Sequence, residues 1–387
     1  MKFSSRLSDS YRPNRLTELL QQKRTNGVSI IDLTLANPTT AGFDYPYRAI
    51  AAALAAAGHH PYTPDPLGLD IARAAIVDYY AERGWHVSPE QILLTASTSE
   101  AYGFLLQLLC DPGDSIWAPQ PSYPLFDLLG QLARVRVSRY PLIEDRIDGW
   151  RVGEVDWEDK TARAIISVEP NNPTGTVLTS DDWTKLLTFS AQRQMPMIVD
   201  TVFADYADPS ARIFERLADL NDRPAFVLSG LSKVVGLPQL KLSWIVTTGP
   251  ANDRERVLSH LSFIADTYLT VAGPVQHALP ALVMLGRSVR QQIQARIQRN
   301  RITLADLVAS AGLRLLPTAG GWTAVCELPQ QIDDEAFVIR LLEIYDCLIH
   351  PGYFYDFQSE RMIVVSLLSL ENEFDSGIER IRRCLCR

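Results

Sequence analysis

The chain has 387 residues, 47% of them hydrophobic and 21% charged, with a formal net charge of −8. That length predicts two domains rather than one oversized core, and the composition is that of an ordinary globular protein. The acidic balance excludes a nucleic-acid surface, which needs clustered positive charge; Arg296, Arg299 and Arg301 do cluster, but at helical spacing, and read as a solvated helix face.

From the N-terminus, "MKFSSRLSDSYRPNRL" is polar and is not a signal peptide, and no stretch is long and uncharged enough to span a bilayer. The first 45 residues read as helix and then as extended chain around "IIDLTLANP", expected to pack on the smaller domain. "AIAAALAAAG" (49–58) reads as an Ala-rich helix with a glycine stop. From about 90 to 250, apolar runs ("QILLTAS", "DSIWAP", "ARAIISVEP", "PMIVDTVF", "AFVLSG", "LSWIVTTG") alternate with helix-like stretches such as "SEAYGFLLQLLC". Strands apolar on both faces and alternating with helices predict an α/β fold with a mostly parallel sheet covered on both sides. A Gln/Arg-rich helix (about 285–311) then leads into "LRLLP", "GGWTAVCELP", a helix near 333–346 and "RMIVVSLLS", an α+β pattern. The expected division is a large domain over 46–285 and a smaller one built from 1–45 and 286–387. Cys110, Cys326, Cys347, Cys384 and Cys386 are odd in number and scattered, and the last two are too close for a zinc pattern. They predict a reduced, cytoplasmic chain without a disulfide framework or metal site.

In open α/β sheets ligands bind beyond the carboxyl ends of the strands, so the residues just after each apolar run carry the information. After "ILLTA" stand Ser97, Thr98 and Ser99 before a helix, which suits either plain N-capping or an anion site for a phosphate. After "AIISV" comes "EPNNPTG", where Asn172 serves either a structural Asx-turn or an amide aimed at the crevice. Asp200 closes "PMIV", and a carboxylate there needs a cation or a protonated nitrogen. Lys233 follows "AFVLSG" on a Gly- and Ser-lined turn with no acid close in sequence. A phosphate cradle, an amide, a carboxylate and a partly desolvated amine together suit pyridoxal 5′-phosphate, whose aldehyde condenses with lysine and whose ring nitrogen pairs with an acid.

At these residues the chain resembles the class I/II aminotransferases, the fold-type I pyridoxal-phosphate enzymes. The match runs in the family's order through "YTPDPLGLDIAR", "TASTSEA", "PQPSYPLF", "PNNPTG", "VDTVFADY" and "SGLSKVVGLPQLKLSW". The resemblance implies that Lys233 forms the Schiff base and shuttles the proton, that Asp200 pairs with the pyridinium, and that Asn172 donates to the phenolic oxygen and borders the substrate. It implies that Tyr123 stacks on the ring, that Ser97, Thr98 and Ser99 hold the phosphate, and that Tyr62 reaches the neighbouring subunit's phosphate in a homodimer. Three positions depart from the pattern. Lys241 replaces the usual arginine eight residues after the lysine, giving charge without a bidentate fork. Phe203 replaces a tyrosine three residues after Asp200, with Tyr206 nearby. The arginine that grips the substrate carboxylate falls at Val364 when counted without gaps, or at Arg361 with a loop three residues shorter; Arg361, directly before the apolar "MIVVSLL", is the expected residue. Tyr353, Tyr355 and Trp322 hint at an aromatic-lined pocket. The implied reaction moves an amino group between an amino acid and a 2-oxo acid. A β-lyase on the same fold is the alternative, and a cofactor-holding regulator without turnover is the non-enzymatic one.

Overall fold

The computed structural model describes residues 1, 3–7, 13–145, 149–155 and 157–386. Its centre is an eight-stranded sheet made of β1 (Ile92–Thr95), β2 (Ser115–Gln120), β3 (Arg136–Asp145), β4 (Gly149–Val152), β5 (Ala162–Val168), β6 (Met197–Asp200), β7 (Ala225–Gly230) and β8 (Ser243–Thr248), in the spatial order β1-β8-β7-β6-β5-β2-β3-β4. Strands β2, β3, β5, β6 and β7 pair in parallel, β8 runs antiparallel between β7 and β1, and β4 closes an antiparallel hairpin with β3.

Alternate residues of each central strand enter opposite cores, as the two-residue period of a strand requires. In β7, Ala225 and Val227 join one core while Phe226 and Leu228 join the other. Both faces are therefore apolar, which is why these strands read as unbroken hydrophobic runs. Four helices bear on the site: α1 (Asp70–Ala81), α2 (Thr98–Leu109), α3 (Ala251–Tyr268) and α4 (Gly273–Ala311). Helices α1 and α4 bury Ile76, Tyr79, Leu279 and Leu282 in the first core. Helices α2 and α3 bury Phe104, Leu105, Leu261 and Ala265 in the second.

Helix α4 begins twelve residues earlier than the sequence suggested and runs through Pro280. Its arginines correct the reading of a solvated face. Arg296 donates to the carbonyls of Ala41, Leu368 and Ser369, Arg299 pairs with Asp375, and burial lowers the pKa of Arg301. Arg296 and Arg299 tie the helix to the N-terminal segment and to the C-terminal part of the chain.

A second, antiparallel sheet is formed by β9 (Arg314–Leu315), β10 (Thr323–Glu327), β11 (His350–Pro351) and β12 (Met362–Ser366), in the order β9-β10-β12-β11. The N-terminal segment is tied to it. Ile31–Asp32 pairs in parallel with Cys347–Leu348, the Ser366 N–H donates to the Leu33 carbonyl at 2.7 Å, and the Ser366 hydroxyl donates to the Leu35 carbonyl. Among the described residues no single helix is long and apolar enough to cross a membrane. All five cysteines are free.

Candidate active site

The parallel strands end on one edge of the large sheet, and the polar residues singled out in the sequence sit there. Strand β6 ends in Asp200, which is 8% exposed. One carboxyl oxygen accepts from the Tyr102 hydroxyl at 3.1 Å and the other from the Val202 N–H at 3.1 Å. Burial pushes its pKa up to about 6, against the opposing pull of those two bonds and of Lys233. Tyr102 went unremarked in the sequence; it lies one helical turn beyond Thr98, so α2 both opens at the strand ends and supplies the phenol that holds Asp200.

Lys233 lies in a single helical turn, Leu231–Val234, directly after β7. The backbone of that turn is held by side chains from elsewhere. The Tyr206 hydroxyl donates to the Lys233 carbonyl at 2.7 Å, Arg290 to Val234 at 3.1 Å, and the Tyr45 hydroxyl to Gly236 at 2.7 Å. The amine itself has no hydrogen bond or ion pair among the described residues. It lies 4.4 Å from the ring centroid of Trp322 and 5.4 Å from that of Phe203. Burial lowers its pKa to about 8, and the charge of Asp200 works in the opposite direction. Tyr206 does not make up for the missing hydroxyl at Phe203, because its own proton is committed to the Lys233 backbone.

Asn172 sits in a turn locked at both ends. Gly175 donates to the Asn171 carbonyl at 2.7 Å, Ala319 donates to the Gly175 carbonyl at 3.0 Å, and the Thr323 hydroxyl donates to the Pro173 carbonyl at 2.7 Å. Gly175 is required there: its φ is +67°, and a Cβ would lie 2.0 Å from the Thr318 hydroxyl. The turn thereby presents Asn172 to a cavity of about 140 Å³ shared with Lys233, Phe203 and Trp322. The Asn172 side chain has no hydrogen bond among the described residues.

At the start of α2, the Ser97 hydroxyl caps the helix by accepting from the Glu100 N–H at 3.1 Å. It retains its own proton as a donor. The N–H groups of Thr98 and Ser99 lie in the first turn, where a helix has no acceptor of its own for them. Tyr123 is 47% exposed on the loop after β2, next to Ser122, whose N–H donates to the Tyr355 carbonyl. Lys241 is exposed in a left-handed conformation (φ +48°) with no partner among the described residues. Tyr62 is 79% exposed and stands apart from the Lys233 cavity, on a groove of about 170 Å³ shared with Leu269 and His277.

Arg361 is not brought to the cavity. Its guanidinium pairs with Glu327 and donates to the Leu328 carbonyl at 3.0 Å. The register of β12 decides this: Val364 and Ser366 share the strand face that lines the cavity, while Arg361 precedes the strand beside the acid of its neighbour. Tyr355 and Trp322 line the same cavity, whereas Tyr353 is 39% exposed and its hydroxyl donates to Glu335 at 3.4 Å. His350 was missed in the sequence. It lines the cavity from β11 with its Nδ1 3.0 Å from the Tyr355 hydroxyl, and burial lowers its pKa to about 4 against the charge of Asp32. Only its place at the head of "HPGYFYDF" pointed to it.

Residues 29–373 match the family model described as aminotransferase class I and II. An alanine aminotransferase of Mycobacterium bovis is 24% identical over 367 residues, covering 92% of this chain and 85% of that protein. A glutamate-pyruvate aminotransferase of Haemophilus influenzae is 24% identical over 370 residues, 93% and 91% of the two chains. Among solved structures, an alanine aminotransferase from Pyrococcus furiosus superposes over the full length of both chains with a TM-score of 0.85 at 22% identity.

Proposed function

The chain belongs to the class I and II aminotransferases, and on that premise we propose which of its residues carry the reaction. The enzyme depends on pyridoxal 5′-phosphate and moves an amino group between an amino acid and a 2-oxo acid. The observation that carries the site assignment is the Lys233 amine. It is desolvated, without a hydrogen-bond partner, and coupled electrostatically to the buried Asp200.

The residues present fit the cofactor. Lys233 would offer an amine to its aldehyde, and Asp200, fixed by Tyr102 and Val202, would pair with its ring nitrogen. Asn172 would donate to its phenolic oxygen and border the substrate, and Tyr123 would cover a ring face. Ser97, Thr98 and Ser99 would hold its phosphate through hydroxyls and first-turn N–H groups, with charge from Lys241. When bound, pyridoxal phosphate supplies an electron sink for the carbon that loses its proton. The chain does the rest. Lys233 Nζ, whose pKa burial lowers to about 8, would be the amine available to the cofactor's aldehyde. Released as the free base, Lys233 would be the group placed to take and return the proton of the substrate carbon. Phe203 and Trp322 keep water from the amine.

The assembly we propose is a homodimer in which Tyr62 reaches the neighbour's phosphate. Its support is the exposure of Tyr62 together with Leu269 (45%), which lines the same groove, and Phe263 (78%). The proposed domain division is 46–285 against 1–45 with 286–387; the pairing of Ile31–Asp32 with the small domain supports it, and α4 runs across the boundary. The five free cysteines suit a reducing compartment, and we place the enzyme in the cytoplasm.

The test is transfer itself. Purified protein with pyridoxal phosphate, an amino acid and a 2-oxo acid should exchange the amino group, and Lys233→Ala should lower turnover by at least about a hundredfold. Full turnover in that variant contradicts the assignment.

A further inference from the structure

The cavity beside Lys233 holds little charge. Of its twelve lining residues, only Lys233 is ionised at neutral pH, since His350 is buried as the neutral imidazole. Its walls are largely apolar: Leu35, Ala36, Phe203, Trp322 and Val364. The hydroxyls that line it are already committed. Thr34 donates to Asp32, Thr323 to the Pro173 carbonyl and Ser366 to the Leu35 carbonyl, while Tyr355 pairs with His350. The hydrogen-bonding groups left free are the Asn172 amide N–H not assigned to the phenolic oxygen, the second ring nitrogen of His350 and the indole N–H of Trp322, which is buried without a partner among the described residues. That set serves one carboxylate. A second carboxylate would be desolvated with no cation and no spare donor, and a buried unpaired charge is strongly disfavoured. The groove around Tyr62, the part a partner subunit would bring close in the proposed dimer, contains no lysine or arginine either.

We infer that the amino donor is a monocarboxylic amino acid with an uncharged, apolar side chain, and that His350, positioned by Tyr355, is the residue that meets the donor's carboxylate. The inference rests on the aminotransferase reading and names its substrate class. A bulky apolar side chain lies against Leu35, Phe203 and Val364, and the carboxylate lies toward Asn172 and His350. Arg361 takes no part, because Glu327 already neutralises it.

The experiment follows bleaching of the cofactor band in a single turnover of the holoenzyme, with leucine, phenylalanine, glutamate and aspartate as donors. Leucine or phenylalanine should react with kcat/KM at least about tenfold above both dicarboxylates. His350→Phe should raise KM for the preferred donor at least about tenfold with a smaller change in kcat, and His350→Gln, which keeps a donor, should recover part of it. Both variants should keep the cofactor band of the unsubstituted enzyme, which separates a specificity effect from misfolding. Equal or faster reaction of glutamate or aspartate, while borohydride still fixes the cofactor on Lys233, overturns the substrate class alone. An unchanged KM in His350→Phe overturns the role of His350. Absence of bleaching by any amine, with no cofactor fixed on Lys233, overturns the aminotransferase reading with it.

Discussion

Two side chains of opposite charge dominate the site, and each holds the other's proton affinity in check. Burial alone would drive Asp200 toward its neutral acid and Lys233 toward its neutral amine; each partner's charge pulls the other part of the way back. The sign of one prediction follows. In the cofactor-free protein, capture of pyridoxal phosphate needs the neutral amine, so its rate should rise with pH through about 8. Asp200→Asn removes the charge that raises the Lys233 pKa. The midpoint of that profile should therefore move to lower pH, as followed by absorbance after mixing; a midpoint that moves up contradicts the coupling. The same variant loses the acid proposed to face the ring nitrogen, and transamination should fall by about a hundredfold or more. These two residues were legible in the sequence because each interrupts an apolar run at a strand end, where a charge has no other business. Tyr102 was not, because a tyrosine within an apolar helix looks like any other core residue until the helix is docked on the sheet.

At the level of elements, the placement of Lys233 depends on how closely β7 and β8 approach. Gly230 faces Ser243 across that pair, and a Cβ at Gly230 would lie 2.1 Å from the Ser243 hydroxyl oxygen and 3.0 Å from its Cα. Gly230→Ala should destabilise the fold by about 1–3 kcal/mol, read as a lower denaturation midpoint, because the backbone must move to admit the methyl group. Tyr206→Phe should cost about 0.5–1.5 kcal/mol by freeing the Lys233 carbonyl, and should lower kcat more than it raises KM. The central strands were readable from their continuous apolar runs. The hairpin of β3 and β4 was not: β3, "RVSRYPLIED", mixes exposed, half-buried and buried positions at the sheet edge and carries a proline, so it lacks that run. The choice between Arg361 and Val364 was equally out of reach, since it turns on the register of β12 against β10.

At the level of the whole molecule, the cavity beside Lys233 is made of segments far apart in sequence. Residues 34–36 arrive because the N-terminal segment is bonded to the small sheet, Asn172 and Phe203 come from the large sheet, and His350 and Val364 from the small one. No local pattern encodes that meeting, which is why the polar residues at the strand ends could be picked out from the chain and His350 could not. The proposed dimer gives a further expectation: sedimentation should report twice the chain mass, with Tyr62→Phe weakening cofactor retention without changing that mass. A monomer with full activity would contradict the shared site. The central claim, that the amine of Lys233 is the group that binds the aldehyde, is tested most directly by reducing the cofactor-loaded protein with borohydride and mapping its peptides. The account predicts a phosphopyridoxyl group on Lys233 alone; its attachment to Lys241 or any other lysine, with Lys233 unmodified, would contradict it.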